Sequence, residues 1–208
     1  DFEPLRYWDV VKFHGPLAAT SILSLLAQPL IGAGLARMAN PEQNLAVWPV
    51  IFGVLLIFRS PAFALPEIVI ALSKKEQDAA PLRRFCLGVA FLSTGVMAFL
   101  LVSGVMTGGL IHFTGLAPEL ASLAVAGLLA SVTLPMFQSL KNWLRGLLMT
   151  IKSTAAIYYG MAINLMTIVI LVILGVSQEW SGVVTAGGAM AAATFFETIF
   201  LYFGVRKQ

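Results

Sequence analysis

The chain has 208 residues, of which 59% are hydrophobic and only 11% charged, with a mean hydropathy of +0.89. Soluble domains carry about 25% charged residues, so this composition excludes them and indicates an all-α integral membrane protein. A single cysteine, Cys86, excludes an intramolecular disulfide, and His14 and His112 stand far apart near segment ends, so no Cys/His cluster has metal-ligand spacing.

Asp1 to Lys12 reads as a juxtamembrane lead, with Tyr7 and Trp8 as interface anchors. It lacks the charged-then-apolar order of a secretory signal, so the first hydrophobic segment is read as a permanent helix. That first span is expected from about Phe13 to Met38, interrupted by Pro16 and by Gln28-Pro29. Gln28 lies deep and suits either a hydrogen bond to a neighbouring helix or a substrate contact. Arg37 stands at the far end, where it can snorkel to the interface, and Asn40-Pro41 supplies turn chemistry.

The second span, Leu45 to Leu72, carries Arg59 near its middle and Glu67 further on, with Pro61 and Pro66 between them. A charge at the centre of a membrane helix costs roughly +2.5 to +3.5 kcal/mol, and each proline removes a backbone donor. Such breaks are tolerated where protein or a water-filled cavity satisfies the freed groups. The stretch is therefore expected to face the protein interior, with the other helices built around it.

The polar run SKKEQDAAPLRR follows, then a third span from Phe85 to Ile111 containing SGVMTGG. Its small residues predict close helix contact rather than a phosphate-binding loop. The fourth span, Pro118 to Gln138, continues into the amphipathic segment SLKNWLRGLLMTIKS. Lys141, Arg145 and Lys152, with Trp143 among them, read as an interfacial helix on anionic lipid rather than a nucleic-acid contact. The fifth and sixth spans are expected at Thr154 to Val176 and Gly182 to Phe203, before the tail GVRKQ.

Six spans place Arg6, Lys12, Lys74, Lys75, Arg83, Arg84, Lys141, Arg145, Lys152, Arg206 and Lys207 on one side, against Arg37 alone on the other. By the positive-inside rule both termini are expected to be cytoplasmic, and the location expected is a bacterial inner membrane. Arg59, Glu67 and Glu197 remain at membrane depth. They read either as a cation or proton site with Arg59 as countercharge or anion contact, or as structural ion pairs, Glu67 reaching Lys74, Lys75 or Lys141. No nucleophile stands with a base and an orienting partner, so no enzyme activity and no cofactor are expected. No internal repeat divides the chain.

The segments KFHGPLAATSILSLLAQPLIGAGLAR, WPVIFGVLLIFRSPAFALPEIVIAL and LKNWLRGLLMTIKSTAAIYYGMAINL resemble the progressive ankylosis (ANKH-like) transporters. These belong to the multidrug/oligosaccharidyl-lipid/polysaccharide flippase superfamily. The resemblance covers most of the chain and is to one six-helix half, the carboxyl-terminal one. It implies two such bundles about a twofold axis along the membrane normal, with substrate between them and alternating access. Relatives export organic anions, drugs or lipid-linked sugars. The cleft would be lined from the first two helices, which here offer Gln28, Arg59 and Glu67. A single half with an even helix number inserts in one orientation, so two copies would lie parallel and a homodimer would rebuild a whole transporter. The partners expected are the lipid bilayer and a second half or, alternatively, unrelated subunits of a larger membrane complex in which the chain does not transport.

Overall fold

The computed structural model describes residue 22 and residues 25–72, 79–151 and 153–206. The lead at 1–12, its anchors Tyr7 and Trp8, His14, Pro16 and the start of the first expected span lie outside the described residues, as do Lys74, Lys75, Lys152 and Lys207. The helices are α1 (Leu25–Leu35), α2 (Pro41–Phe63), α3 (Leu65–Leu72), α4 (Ala79–Val102), α5 (Val105–Thr114), α6 (Pro118–Ala130), α7 (Leu134–Thr150), α8 (Thr154–Ser177) and α9 (Gly182–Arg206). Among the described residues, five stretches are long and apolar enough to cross a membrane: Pro41–Leu72, Ala80–Val102, Pro118–Thr150, Ala155–Ser177 and Gly182–Arg206. The protein is an all-α membrane protein.

Two of these stretches are broken helices, and proline chemistry explains both breaks. Pro61 cannot donate to the Ile57 carbonyl; the Ser60 hydroxyl donates to that oxygen instead, at 2.8 Å, and the helix restarts after Ala64. Pro135 ends the donor ladder in the same way, and α6 gives way to α7 through Ser131–Thr133, with the Ser131 hydroxyl donating to the Gly127 carbonyl at 2.9 Å. The third expected span is divided as well. Gly104 takes φ +75°, a left-handed conformation that glycine adopts freely, and it separates α4 from α5.

The residues that meet across the bundle fix its topology. Trp48 reaches back to Gln28, so α1 and α2 form an antiparallel pair. Ile51 faces Gly127, Arg59 faces Gln138 and Val69 faces Gly146, so α2–α3 runs parallel to α6–α7. α9 runs parallel to both, with Gly187 against Gly127 and Glu197 against Lys141. α8 returns antiparallel, with Gly175 against Thr185 and Gly160 against Leu201.

α9 is the central element, with 56% of its apolar stretch buried against 22% for α4 and for α8. Its run of Gly, Ala and Thr permits this. A Cβ on Gly187 would stand 2.5 Å from the Gly127 carbonyl oxygen, so only glycine allows the α6–α9 backbones to approach so closely. The expectation that SGVMTGG makes close helix contacts is not met: a Cβ on Gly104 or Gly108 would meet nothing within 4 Å. The main core joins Ile31, Leu35, Ile51, Leu55, Leu128 and Val183 around this crossing. Phe91, Leu92, Phe99, Met166 and Ile173 point outward and are exposed, the apolar face that a bilayer would cover.

Candidate functional site

A cavity of about 420 Å³ lies between α2–α3, α7, α8 and α9, and α1 adds Ala27 and Gln28 to its wall. Its ionisable lining residues are Arg59, Lys141, Arg145 and Glu197, and its apolar wall includes Phe52, Phe63, Met149, Met161, Ile168 and Met190. The polar side chains share a cavity because helices of one direction bring them to one level.

Arg59 comes from α2, one turn before the break. Its guanidinium donates to Gln138 Oε1 at 2.8 Å and stands 5.8 Å from the centroid of the Phe63 ring. Gln138 Nε2 donates to Asn142 Oδ1 at 3.2 Å, and Asn142 Nδ2 donates to the Ala62 carbonyl at 2.8 Å. This chain of amides ties α7 to the end of α2 beside the proline break. The side chains on α7 recur at helical spacing (Gln138, then Lys141 and Asn142, then Arg145) and make one polar stripe directed inward.

Opposite that stripe stands Glu197 on α9, with a side chain only 1% exposed. Lys141 Nζ lies 3.1 Å from Glu197 Oε2, and Arg145 donates to Glu197 Oε1. A carboxylate buried this far costs several kcal/mol unless paired, and two cations provide the pairing. One carboxylate does not exhaust them. The Nε atoms of Arg59 and Arg145 are both buried and have no hydrogen-bond partner among the described residues. A guanidinium presents five N–H donors in a rigid fork suited to carboxylates and phosphates, and the bonds to Gln138 and Glu197 engage one terminal nitrogen of each, so both residues, which line the cavity, have donors beyond those two bonds.

The sequence-derived candidates separate accordingly. Arg59 and Glu197 share the cavity. Gln28 also lines it, and its Oε1 accepts from Trp48 Nε1 at 3.2 Å, an interhelical bond that is one of the two roles open to it. Glu67 does not join them. It is exposed in the first turn of α3 and forms no ion pair among the described residues. Lys141 and Arg145 require a correction. They do not lie on a lipid surface; they turn into the bundle, because Glu197 would otherwise be buried without a countercharge. Lys152 lies outside the described residues. Gln138, Asn142, Asn164 and Thr194 complete the polar lining and were not among the candidates.

This arrangement can recognise charge. No group of three or more His, Cys, Asp or Glu side chains stands together among the described residues, so the donors available are cations and amides. Comparisons with protein-family models, with curated proteins and with solved structures give no match for this chain.

Proposed function

We propose that the protein is a half-size secondary transporter or flippase that moves a small organic anion, or an amphipathic substrate with an anionic group, by alternating access. One observation carries this reading. Three cations face a single carboxylate in a cavity walled by helices long and apolar enough to cross a membrane, and the bonds to Gln138 and Glu197 engage one terminal nitrogen of each guanidinium. Ionisable groups inside a membrane are costly and mark substrate or ion pathways. Here their sign favours an anion. The breaks beside Arg59 and ahead of α7 supply points about which the cavity walls can move.

The rest of the reading follows the resemblance to the progressive ankylosis transporters. Six spans, the first expected from about Phe13 to Met38, would give a half bundle that pairs with a second copy or another half. With Lys141 and Arg145 inside the bundle, nine of the eleven basic residues assigned to one side still stand against Arg37. That keeps both termini cytoplasmic, in a bacterial inner membrane. A second reading, a non-transporting subunit of a larger membrane complex, draws on the ion pairs that hold Lys141 and Arg145 to Glu197, which a static scaffold would also use.

The test is uptake of labelled organic anions, succinate and citrate among them, into proteoliposomes. Uptake above that of protein-free liposomes, lost in Arg59→Ala with the fold intact, supports transport. Uptake equal to that of empty liposomes for every anion sinks it. Native mass spectrometry from a mild detergent separates the assemblies: a dimer of this chain belongs to the transporter reading, a complex of unlike subunits to the scaffold.

A further inference from the structure

We infer that the cavity is matched to a divalent anion and that Glu197 sets this valence. The inference rests on the anion-binding reading above and adds the charge that the ligand carries. Among the described residues the lining holds three cations, Arg59, Lys141 and Arg145, and one carboxylate, Glu197, a formal surplus of two positive charges. Uncompensated charge is costly in a low-dielectric interior. A ligand with two negative charges leaves the cavity neutral. A monoanion leaves one cation unmatched, and a trianion brings one negative charge too many.

Geometry divides the work among the cations. Lys141 is committed: its side chain is 8% exposed and its ammonium sits 3.1 Å from Glu197. Arg145 spends one terminal nitrogen on Glu197 and keeps its Nε without a partner among the described residues. Arg59 donates to a neutral amide, Gln138, stands beside the Phe63 ring and makes no direct ion pair among the described residues, where its Nε is equally unpartnered. The ligand therefore bridges Arg59 on α2 and Arg145 on α7, while Glu197 cancels Lys141. The amides of Gln138 and Asn142 are occupied with each other and with the Ala62 carbonyl, so they add little discrimination of their own. Charge is the selector. A cavity of about 420 Å³ has room for a small dicarboxylate or a phosphate ester of similar size.

The test uses the purified full chain in detergent and a series of related probes, propionate, succinate and tricarballylate, ionised at neutral pH and carrying one, two and three charges. Binding is read by titration calorimetry. Wild-type protein is expected to bind succinate at least about tenfold more tightly than either of the other two, the factor that one unmatched charge gives even when it costs only about 1.4 kcal/mol. Glu197→Gln moves the optimum up to tricarballylate. Lys141→Met moves it down to propionate, and it leaves Glu197 still paired with Arg145, so it carries the test where Glu197→Gln fails to fold. The double variant Lys141→Met/Glu197→Gln restores the surplus of two and with it the preference for succinate. An unchanged rank order in the single variants overturns the valence assignment and leaves anion binding standing. Wild-type protein that binds none of the three probes overturns the anion reading itself.

Discussion

Arg59 and Glu67 stand eight positions apart on one apolar stretch, and the structure treats them in opposite ways. Arg59 turns toward α7, finds Gln138 at 2.8 Å and lines the cavity. Glu67 lies beyond the break at Ala64, in the first turn of α3, and is exposed. An even helix would fix the angle between them; the break removes that constraint. The first turn of α3 also suits an acid on its own account, because a carboxylate near a helix N-terminus is stabilised by about 0.3–1 kcal/mol. A charge at membrane depth thus marks a site when a neighbouring helix offers it partners, and depth alone is insufficient.

The sharpest way to break this contrast is to remove the most enclosed charge. Glu197→Ala leaves Lys141 buried with no countercharge, and the loss of one member of a buried pair costs about 3–5 kcal/mol. Thermal unfolding in detergent should show this loss, whereas the paired replacement Lys141→Met/Glu197→Gln should unfold close to the wild type. A Glu197→Ala protein as stable as Glu67→Ala would mean that inward and outward charges are not energetically distinct.

Arg59→Ala comes next. It removes a charged donor to Gln138 and one of the two guanidinium groups that line the cavity. A hydrogen bond to a charged group contributes about 1.5–3 kcal/mol, so anion affinity should fall about ten- to a hundredfold. Arg59→Lys should recover part of it, since an ammonium keeps the charge and loses the planar fork. Full affinity in Arg59→Ala would place the anion site elsewhere.

Much of the fold was legible because hydrophobic length is a direct consequence of the bilayer. Pro61 also announced the break that follows it. The division of the third span at Gly104 was not legible, since a glycine in a small-residue run signals close packing and a turn equally well, and only the φ of +75° decides. The polar lining of α7 was misread for a different reason. Helical periodicity identifies Gln138, Lys141, Asn142 and Arg145 as one face, but periodicity carries no information about what that face meets. In water a polar stripe points outward; in a membrane bundle it can point inward with equal regularity. The signal that could have settled it was Glu197. Leu201, Ala193 and Thr194 around it are buried, so that acid needed a cation, and α7 was the element with cations to offer.

Packing provides a milder test of the same inside-outside distinction. Gly187→Leu forces a side chain into the Gly127 backbone at the α6–α9 crossing and should cost about 1–3 kcal/mol, the usual range for overpacking. Gly108→Ala in α5 meets nothing within 4 Å. It should be neutral or add up to about 1 kcal/mol, because alanine is the better helix former. Equal losses at the two positions would contradict the arrangement of α9 as the tightly packed centre.

The smallest effect is expected at Glu67, and it is the most informative about motion. Glu67→Gln keeps the size of the side chain and removes only its charge. With the residue exposed and away from the cavity, stability should change by no more than about 0.5 kcal/mol, and anion affinity and uptake should match the wild type. The opposite result has a definite structural meaning. Uptake that falls while stability and equilibrium affinity hold would place Glu67 in a second arrangement of the bundle. The break at Ala64 is the point that would have to turn, since α3 is joined to α2 there and otherwise packs against α4 and α7, Leu65 and Val69 sharing a cluster with Leu82, Cys86, Trp143 and Leu147, and Val69 meeting Gly146. Gly146→Ala sets a Cβ 2.6 Å from Val69 and obstructs that contact, so it should impair the same step. A silent Glu67→Gln beside an impaired Gly146→Ala would show that α3 matters for its packing and that its charge does not.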